Sequence, residues 1–366
     1  MSNSNKTALS DKIISLIEQA RIGIAKAANT AMVVTYFHIG KLIVEELQEG
    51  ENRATYGKQL LKQTSERLTK HIGKGFSVQN LERMRNFFLT YSNVSKELRD
   101  TAVFQKSSNT LRKSGASEKS SNKLRIFEED IVFLPISWSH YLFLLQIDDE
   151  KERQFYEIET FHNNWKLDEL KRQYNTGLYE RLALSKDNKE VLRLAKEGQA
   201  IQQPKDLLKE PYILEFLGWE EKSVYSETDL ERSIIDKIEQ FMLELGKGFF
   251  FGGRQQRFTY DEEHYFVDLI FYNRLLQCFV LIDLKIGKLT HQDLGQMQMY
   301  VNYYDRYVKQ ENENPTIGII LCKNKNQNLV EITLPEENKQ IFASKYSTIL
   351  PDKTTLKALL DNTDEN

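Results

Sequence analysis

The chain has 366 residues, 50 Lys and Arg against 53 Asp and Glu, 40% hydrophobic and 28% charged, enough for two folded cores and too apolar for a disordered chain. No eighteen apolar residues run together, and the amino-terminal residues lack the apolar stretch of a secretion signal, so neither a membrane span nor an exported protein is expected; the cytoplasm is. Cys278 and Cys322, the two cysteines, sit in apolar strand-like runs, which argues against a disulfide framework or a thiolate metal site.

Charge is unevenly distributed. Residues 1–123 hold 20 basic and 11 acidic groups, a net of +9, and the remainder carries −12. Within the first part, 55–123 account for the whole excess. A basic module joined to an acidic one suggests an anionic polymer as partner for the first, although a solvated lysine-rich surface gives the same count.

In chain order, apolar residues at helical spacing predict helices over 9–29, 31–49, 56–71 and 78–91. The glycines of Ile72-Gly73-Lys74-Gly75 end the third, and Ser77 is a suitable N-cap for the fourth, with Leu81, Met84, Phe88 and Tyr91 on one face. Two helices around a short glycine turn, the second bearing Arg83 and Arg85, are compatible with a helix-turn-helix, as many helical bundles are. Residues 105–123 are polar and serine-rich, a basic loop. Long helical stretches follow over 149–162 and 167–184, and Pro204 and Pro211 bracket a connector. The expected division is 1–185 helical, 186–215 connector, 216–352 an α/β domain, and 353–366 a tail.

From Ser226 the pattern changes. Ser226-Glu227-Thr228-Asp229 opens a helix that Gly246 closes. Strands are predicted over 248–259, 264–272 and 277–284, a helix over 290–308, a buried strand over 315–322 and a last strand over 329–334.

Isolated carboxylates interrupt these apolar strands. Asp268 lies in Val267-Asp268-Leu269-Ile270-Phe271; Asp283 and Lys285, two apart in Leu281-Ile282-Asp283-Leu284-Lys285, share a face. A buried carboxylate needs a partner, and two on adjacent antiparallel strands repel unless a cation lies between them. Glu231, in the first turn of the helix after Leu230, adds a third carboxylate near the sheet edge. Gln296 lies on the following helix, and Gly295 beside it would allow close approach to the sheet. An oxygen-rich site with one lysine and no thiolate suits Mg²⁺ or Mn²⁺. Asp283 with Lys285 taken alone reads as a structural ion pair; the ordered set of five residues on successive elements points to a nuclease.

That set resembles the PD-(D/E)xK nuclease superfamily, and the surrounding text resembles its YhcG-like family. The stretches that carry this are Gly253-Arg254-Gln255, Asp268-Leu269-Ile270-Phe271-Tyr272, Asp283-Leu284-Lys285-Ile286-Gly287 and Gly295-Gln296-Met297. Upstream, Gly73-Lys74-Gly75-Phe76-Ser77, Ser137-Trp138-Ser139-His140-Tyr141 and Tyr179-Glu180-Arg181-Leu182 resemble the family's helical N-terminal region. Asp283 stands where the family more often has Glu, and Asp168 where it usually has Arg. The resemblance covers about residues 10–351.

It implies a mainly helical N-terminal region and a C-terminal α/β domain with a restriction-endonuclease-like core of helix, three strands, helix and strand. The implied activity is metal-dependent hydrolysis of phosphodiester bonds in DNA, in recombination, repair or defence against foreign DNA. Asp268, Asp283 and the Leu284 carbonyl would hold Mg²⁺ or Mn²⁺, and Glu231 a second ion or a water. Lys285 would orient the attacking water, and Gln296 would place Lys285 or the phosphate. Lys74, Arg83, Arg85, Arg112, Lys113 and Lys119 are the candidate nucleic-acid contacts. Trp138, His140, Tyr141 and Trp165 read as core, His264 and His291 as surface. Superfamily members often pair to cut both strands, which allows a homodimer. The alternatives are a non-cleaving nucleic-acid-binding protein and a subunit of a restriction-type complex.

Overall fold

The computed structural model describes residues 3–49, 53–94, 133–184, 188–219 and 225–363. They fall into two compact units, Met1–Lys171 with Leu192–Gly198, and Arg172–Val191 with Gln199–Asn366.

The first unit is helical. Its longest element, α1 (Asn3–Glu49), joins the two helices expected over 9–49, and Thr30 bonds back to the Lys26 carbonyl without breaking it. It is followed by α2 (Arg53–His71), α3 (Val78–Ser92), α4 (Trp138–Leu144) and α5 (Glu150–Asn163). Val33, Phe37 and Ile43 line the buried stripe of α1 against Leu81, Met84 and Phe87 of α3. Gly40 makes that crossing possible, since a Cβ there would lie 2.1 Å from the Met84 carbonyl oxygen. By length and composition Ile14–Leu47 could cross a membrane, contrary to the expectation drawn from contiguous runs: apolar residues spread at helical spacing with few charges raise the average without forming a run. Its second half uses those residues to pack on α3.

Helix α6 (Leu167–Asn175) runs into the second unit, which also holds α7 (Leu178–Ala183), and α8 (Asn188–Glu197) runs back out of it. The expected boundary at 185 therefore falls after a helix that already belongs to the second unit. The expected connector contains α8 and a short strand, β1 (Tyr212–Ile213), and the expected tail forms α13 (Lys353–Thr363), which packs on α7.

The core of this unit is a six-stranded mixed sheet in the order β1-β6-β5-β4-β3-β2. Strands β2 (Phe249–Tyr260), β3 (Glu263–Asn273) and β4 (Cys278–Lys288) are antiparallel neighbours; β5 (Ile317–Asn324), β6 (Ile341–Ser347) and β1 continue in parallel. Positive φ at Asp261 and Glu262 makes the tight turn between β2 and β3. On one face pack α9 (Glu227–Asp236) and α10 (Ile238–Leu245), through Leu230, Ile234 and Phe241 on Leu269, Phe271 and Ile282. The other face carries α11 (His291–Tyr303), through Leu294, Met297 and Val301 on Ile270, Leu281 and Ile320.

Three expectations change. The single helix over 226–245 breaks at Lys237, whose φ of −123° and ψ of 37° leave the helical region. The apolar run at 329–334 is helical, in α12 (Gln327–Thr333), because the Asn326 side chain caps it by accepting the Leu329 N–H; the last strand is β6. Gly295 is exposed and a Cβ there would meet no neighbouring element within 4 Å, and the close approach to the sheet falls at Gly318, under Met297 and Val301.

Candidate active site

The pairing of β3 with β4 runs only to Leu269 opposite Ile282. One residue further, where Asp268 faces Asp283, the ladder opens. There the Asp268 side chain replaces a strand carbonyl: its Oδ2 accepts the Leu284 N–H at 2.9 Å. Asp283 is 3% exposed, and Lys285, on the same side of β4, sits with Nζ 2.9 Å from Asp283 Oδ2 and 3.7 Å from Glu227 Oε2. Oδ2 has no hydrogen bond of good angle, so the ammonium at that short distance is its compensation.

The electrostatics follow from this crowding. Burial, then repulsion from Asp268, push the Asp283 carboxyl up to about 7 against the opposing pull of Lys285. Burial works to lower Lys285, but Asp283, with Glu227 and Asp268, raises it overall. The lysine is thus fixed as a cation between acids.

Glu231, on the largely buried side of α9 beside Leu230, joins the pair through a side chain that sequence reasoning did not select. Gln255 Nε2 donates to Glu231 Oε2 at 2.8 Å and to Asp268 Oδ1 at 2.9 Å. Burial raises the Glu231 carboxyl, with a smaller push from Asp268, against the Gln255 hydrogen bond. Among the described residues no three carboxylate, imidazole or thiol groups lie close enough to share one ion. The expected three-carboxylate gathering is therefore a pair, Asp268 and Asp283, with Glu231 one amide away.

Gln296, half-buried on α11, donates from Nε2 to the Tyr300 hydroxyl instead of meeting Lys285 directly. Burial first and then the nearby Asp283 push Tyr300 up to about 12, so the phenol stays protonated beside the acids. Tyr300 also escaped sequence reasoning, because an aromatic four residues after Gln296 reads as core. All five candidates, Glu231, Asp268, Asp283, Lys285 and Gln296, thus belong to one chain of contacts and charge interactions at this end of the sheet.

Of the six candidate nucleic-acid contacts, the three among the described residues differ in exposure. Lys74 is exposed in the turn before α3, and Arg83 is exposed and bonded to Asn80. Two residues on, and about 200° around the helix, Arg85 is half-buried with Nε shielded. Arg112, Lys113 and Lys119 lie outside the described residues. Within the same unit Tyr141 is core, donating to Leu134 O and Glu157; Trp138 packs on Tyr36 and Phe87, and His140 is held between Ser137 and the Trp165 carbonyl. His264 and His291 are exposed.

A mixed sheet flanked by helices, with an aspartate on one strand and Asp-x-Lys on the next, is the arrangement of the PDDEXK nuclease class. Residues 205–361 match the YhcG PDDEXK nuclease domain, and residues 12–181 the DUF1016 N-terminal domain. Over 353 residues the chain is 37% identical to "Putative nuclease YhcG" of Escherichia coli (strain K12), covering 94% of this chain and 91% of that one. The chain belongs to this YhcG family of PDDEXK nucleases. Among solved structures, a repair endonuclease from Pyrococcus abyssi is similar over 36% of this chain and 50% of its own, at 16% identity and a TM-score of 0.24.

Proposed function

We propose that this protein hydrolyses phosphodiester bonds of DNA with the help of a divalent cation, Mg²⁺ or Mn²⁺. The observation that carries the reading is the pairing of buried Asp283 with half-buried Asp268, with the Lys285 ammonium 2.9 Å from Asp283. Two like charges at low dielectric call for a cation or a proton between them. The donor set fits the hard ions: carboxylate and backbone oxygens, an Asp283 Oδ2 without a hydrogen bond of good angle, and among the described residues no thiolate or imidazole grouped with them. Asp268 and Asp283 would hold the ion, which supplies Lewis acidity toward the phosphate oxygens.

The chain's own groups divide the remaining work. Lys285, kept charged by Asp283, orients the attacking water and donates to the phosphate oxygen on which charge builds. Glu231, its carboxyl raised and held by Gln255, is suited to accept a proton from that water. Gln296, tied to Tyr300, aligns the phosphate. DNA as substrate, and recombination, repair or defence against foreign DNA as its setting, are what the sequence resemblance implies and belong to the same proposal.

The test is cleavage of supercoiled plasmid with Mg²⁺, Mn²⁺ or chelator. Asp283→Ala should abolish metal-dependent cutting while the protein still binds DNA; equal cutting by wild type and variant defeats the assignment.

A further inference from the structure

Beyond the carboxylates, on the outer side of α11, lies a cleft of about 300 Å³ that the hydrolytic chemistry does not use. Its base is Phe258 of β2, stacked on Tyr303 at 4.0 Å between ring centroids and 20° between planes. Its mouth is formed by Tyr260 and Tyr307, 51% and 61% exposed, with ring centroids 6.5 Å apart. Gly295 leaves one wall open, and Arg306 stands at the rim.

Three features mark this as a built site. Arg306 and Tyr307 lie on a π-helical turn, Tyr304–Val308, closed by the bond from the Lys309 N–H to the Tyr304 carbonyl. Such turns are uncommon and collect at functional sites. Second, a flat ring inserted between two aromatic faces needs about 7 Å between their centres, two stacking distances. The Tyr260–Tyr307 pair stands close to that spacing, and the 39° between the planes is within reach of a side-chain rotation. Third, the base of the cleft touches the candidate active site: Phe258 also meets Tyr300, the partner of Gln296, edge-on at 5.6 Å.

Charge identifies the ligand. Arg306 is the single cation among the lining residues, and Asp261, Glu262 and Glu263 follow Tyr260 at the hairpin turn. A phosphate is poorly served there, whereas a nucleobase offers a flat apolar face and no charge. We infer that this cleft holds an unpaired nucleobase of the substrate strand, stacked between Tyr260 and Tyr307, next to the phosphate that is cut. The inference rests on the nuclease reading and narrows the substrate to nucleic acid with unpaired bases at the site.

The experiment is equilibrium binding by the full chain, in chelator so that nothing is cut. The probes are a 2-aminopurine-labelled single-stranded oligodeoxynucleotide and the blunt duplex of the same sequence. Wild type should quench the 2-aminopurine. Tyr307→Ala and Tyr260→Ala should each weaken single-strand binding about tenfold, as expected for one stacked base, with duplex binding and melting temperature unchanged. Tyr307→Phe should restore binding, and Gly295→Leu, which fills the cleft, should copy the alanine effect. The inference is overturned if Tyr307→Ala binds the single strand as wild type does, or loses single strand and duplex equally. Plasmid cleavage assayed in parallel separates the two readings. Selective single-strand loss in a protein that never cuts supports the cleft and sinks the catalysis; cutting with no selective loss does the reverse.

Discussion

Glu231 and Asp268 share one donor, the Gln255 amide, which reaches both carboxylates at 2.8 and 2.9 Å from the same nitrogen. Gln255 can do so because its backbone takes a φ of 44° on β2, two residues after the register slips between Phe251 and Gly253. In Gln255→Ala two acids from different elements lose their common tie, and Glu231 is free to turn away from the pair. The variant should lower kcat about ten- to a hundredfold, the usual effect of losing a group that orients ligands. KM for DNA should stay unchanged, because Gln255 meets carboxylates and not substrate. Steady-state kinetics on a linear fragment separate the two, and a rise in KM at constant kcat would argue against a positioning role.

The raised Asp283 carboxyl sets a pH dependence with a definite sign. Its pKa in the folded, metal-free protein is about 7 against an ordinary 3.8. Proton and cation compete for the same oxygens, so Mn²⁺ affinity should rise about tenfold per pH unit up to about 7 and level off above it. Ionised Asp283 opposes folding above the raised pKa, and protonation relieves that penalty as pH falls from about 7 toward 3.8. Metal-free Asp283→Asn should therefore melt above wild type at pH 8, with the gap closing on acidification. Titration calorimetry and melting curves between pH 5 and 8 check both; a flat affinity profile would contradict them.

Glu244, fully buried in α10, shows the opposite sign. Burial would raise it, but Arg181, with Lys209 and Arg172, overrides that and holds it near 2 against an ordinary 4.5. Arg181 Nη1 donates to Oε1 at 2.6 Å, the Ile213 N–H reaches the same oxygen at 3.0 Å, and Arg172 lies 3.5 Å from Oε2. A depressed carboxyl contributes stability that is present above 4.5 and lost as pH falls toward 2. Arg181→Met should cost about 3–5 kcal/mol by leaving a buried charge without its main partner. Denaturant unfolding at pH 7 measures it, and a loss under 1 kcal/mol would mean Lys209 and Arg172 suffice.

The contrast between these sites explains what was legible in the sequence. Asp268, Asp283 and Lys285 stood out because each interrupts an apolar strand, and burial penalises a charge placed there without a purpose. Gln255 did not, since its role depends on strand register and on a local φ that no residue pattern specifies. Tyr300 was hidden by its double duty as core aromatic and as partner to Gln296. The strand expected at 329–334 shows a short apolar run losing to one capping asparagine, while β6, Ile341–Ser347, went unread because serines and a lysine interrupt its apolar residues.

The arginines of α3 make the last prediction, because a helix-turn-helix reading treats them alike and the packing does not. Leu81, Met84, Phe87 and Tyr91 turn one side of α3 into the core of its unit, leaving Arg83 outside and drawing Arg85 partly in. If this unit contacts phosphate, Arg83→Ala should weaken DNA binding several-fold and reduce the slope of log affinity against log salt by about 1, as for one lost phosphate contact. Arg85→Met should leave that slope alone and keep or raise the melting temperature, since it removes a shielded Nε that lacks a hydrogen bond while retaining the packed stem. Salt-dependent anisotropy on a short duplex, paired with melting curves, distinguishes the two. Equal loss of affinity in both variants would mean that α3 presents its two arginines to DNA together, which its burial pattern opposes.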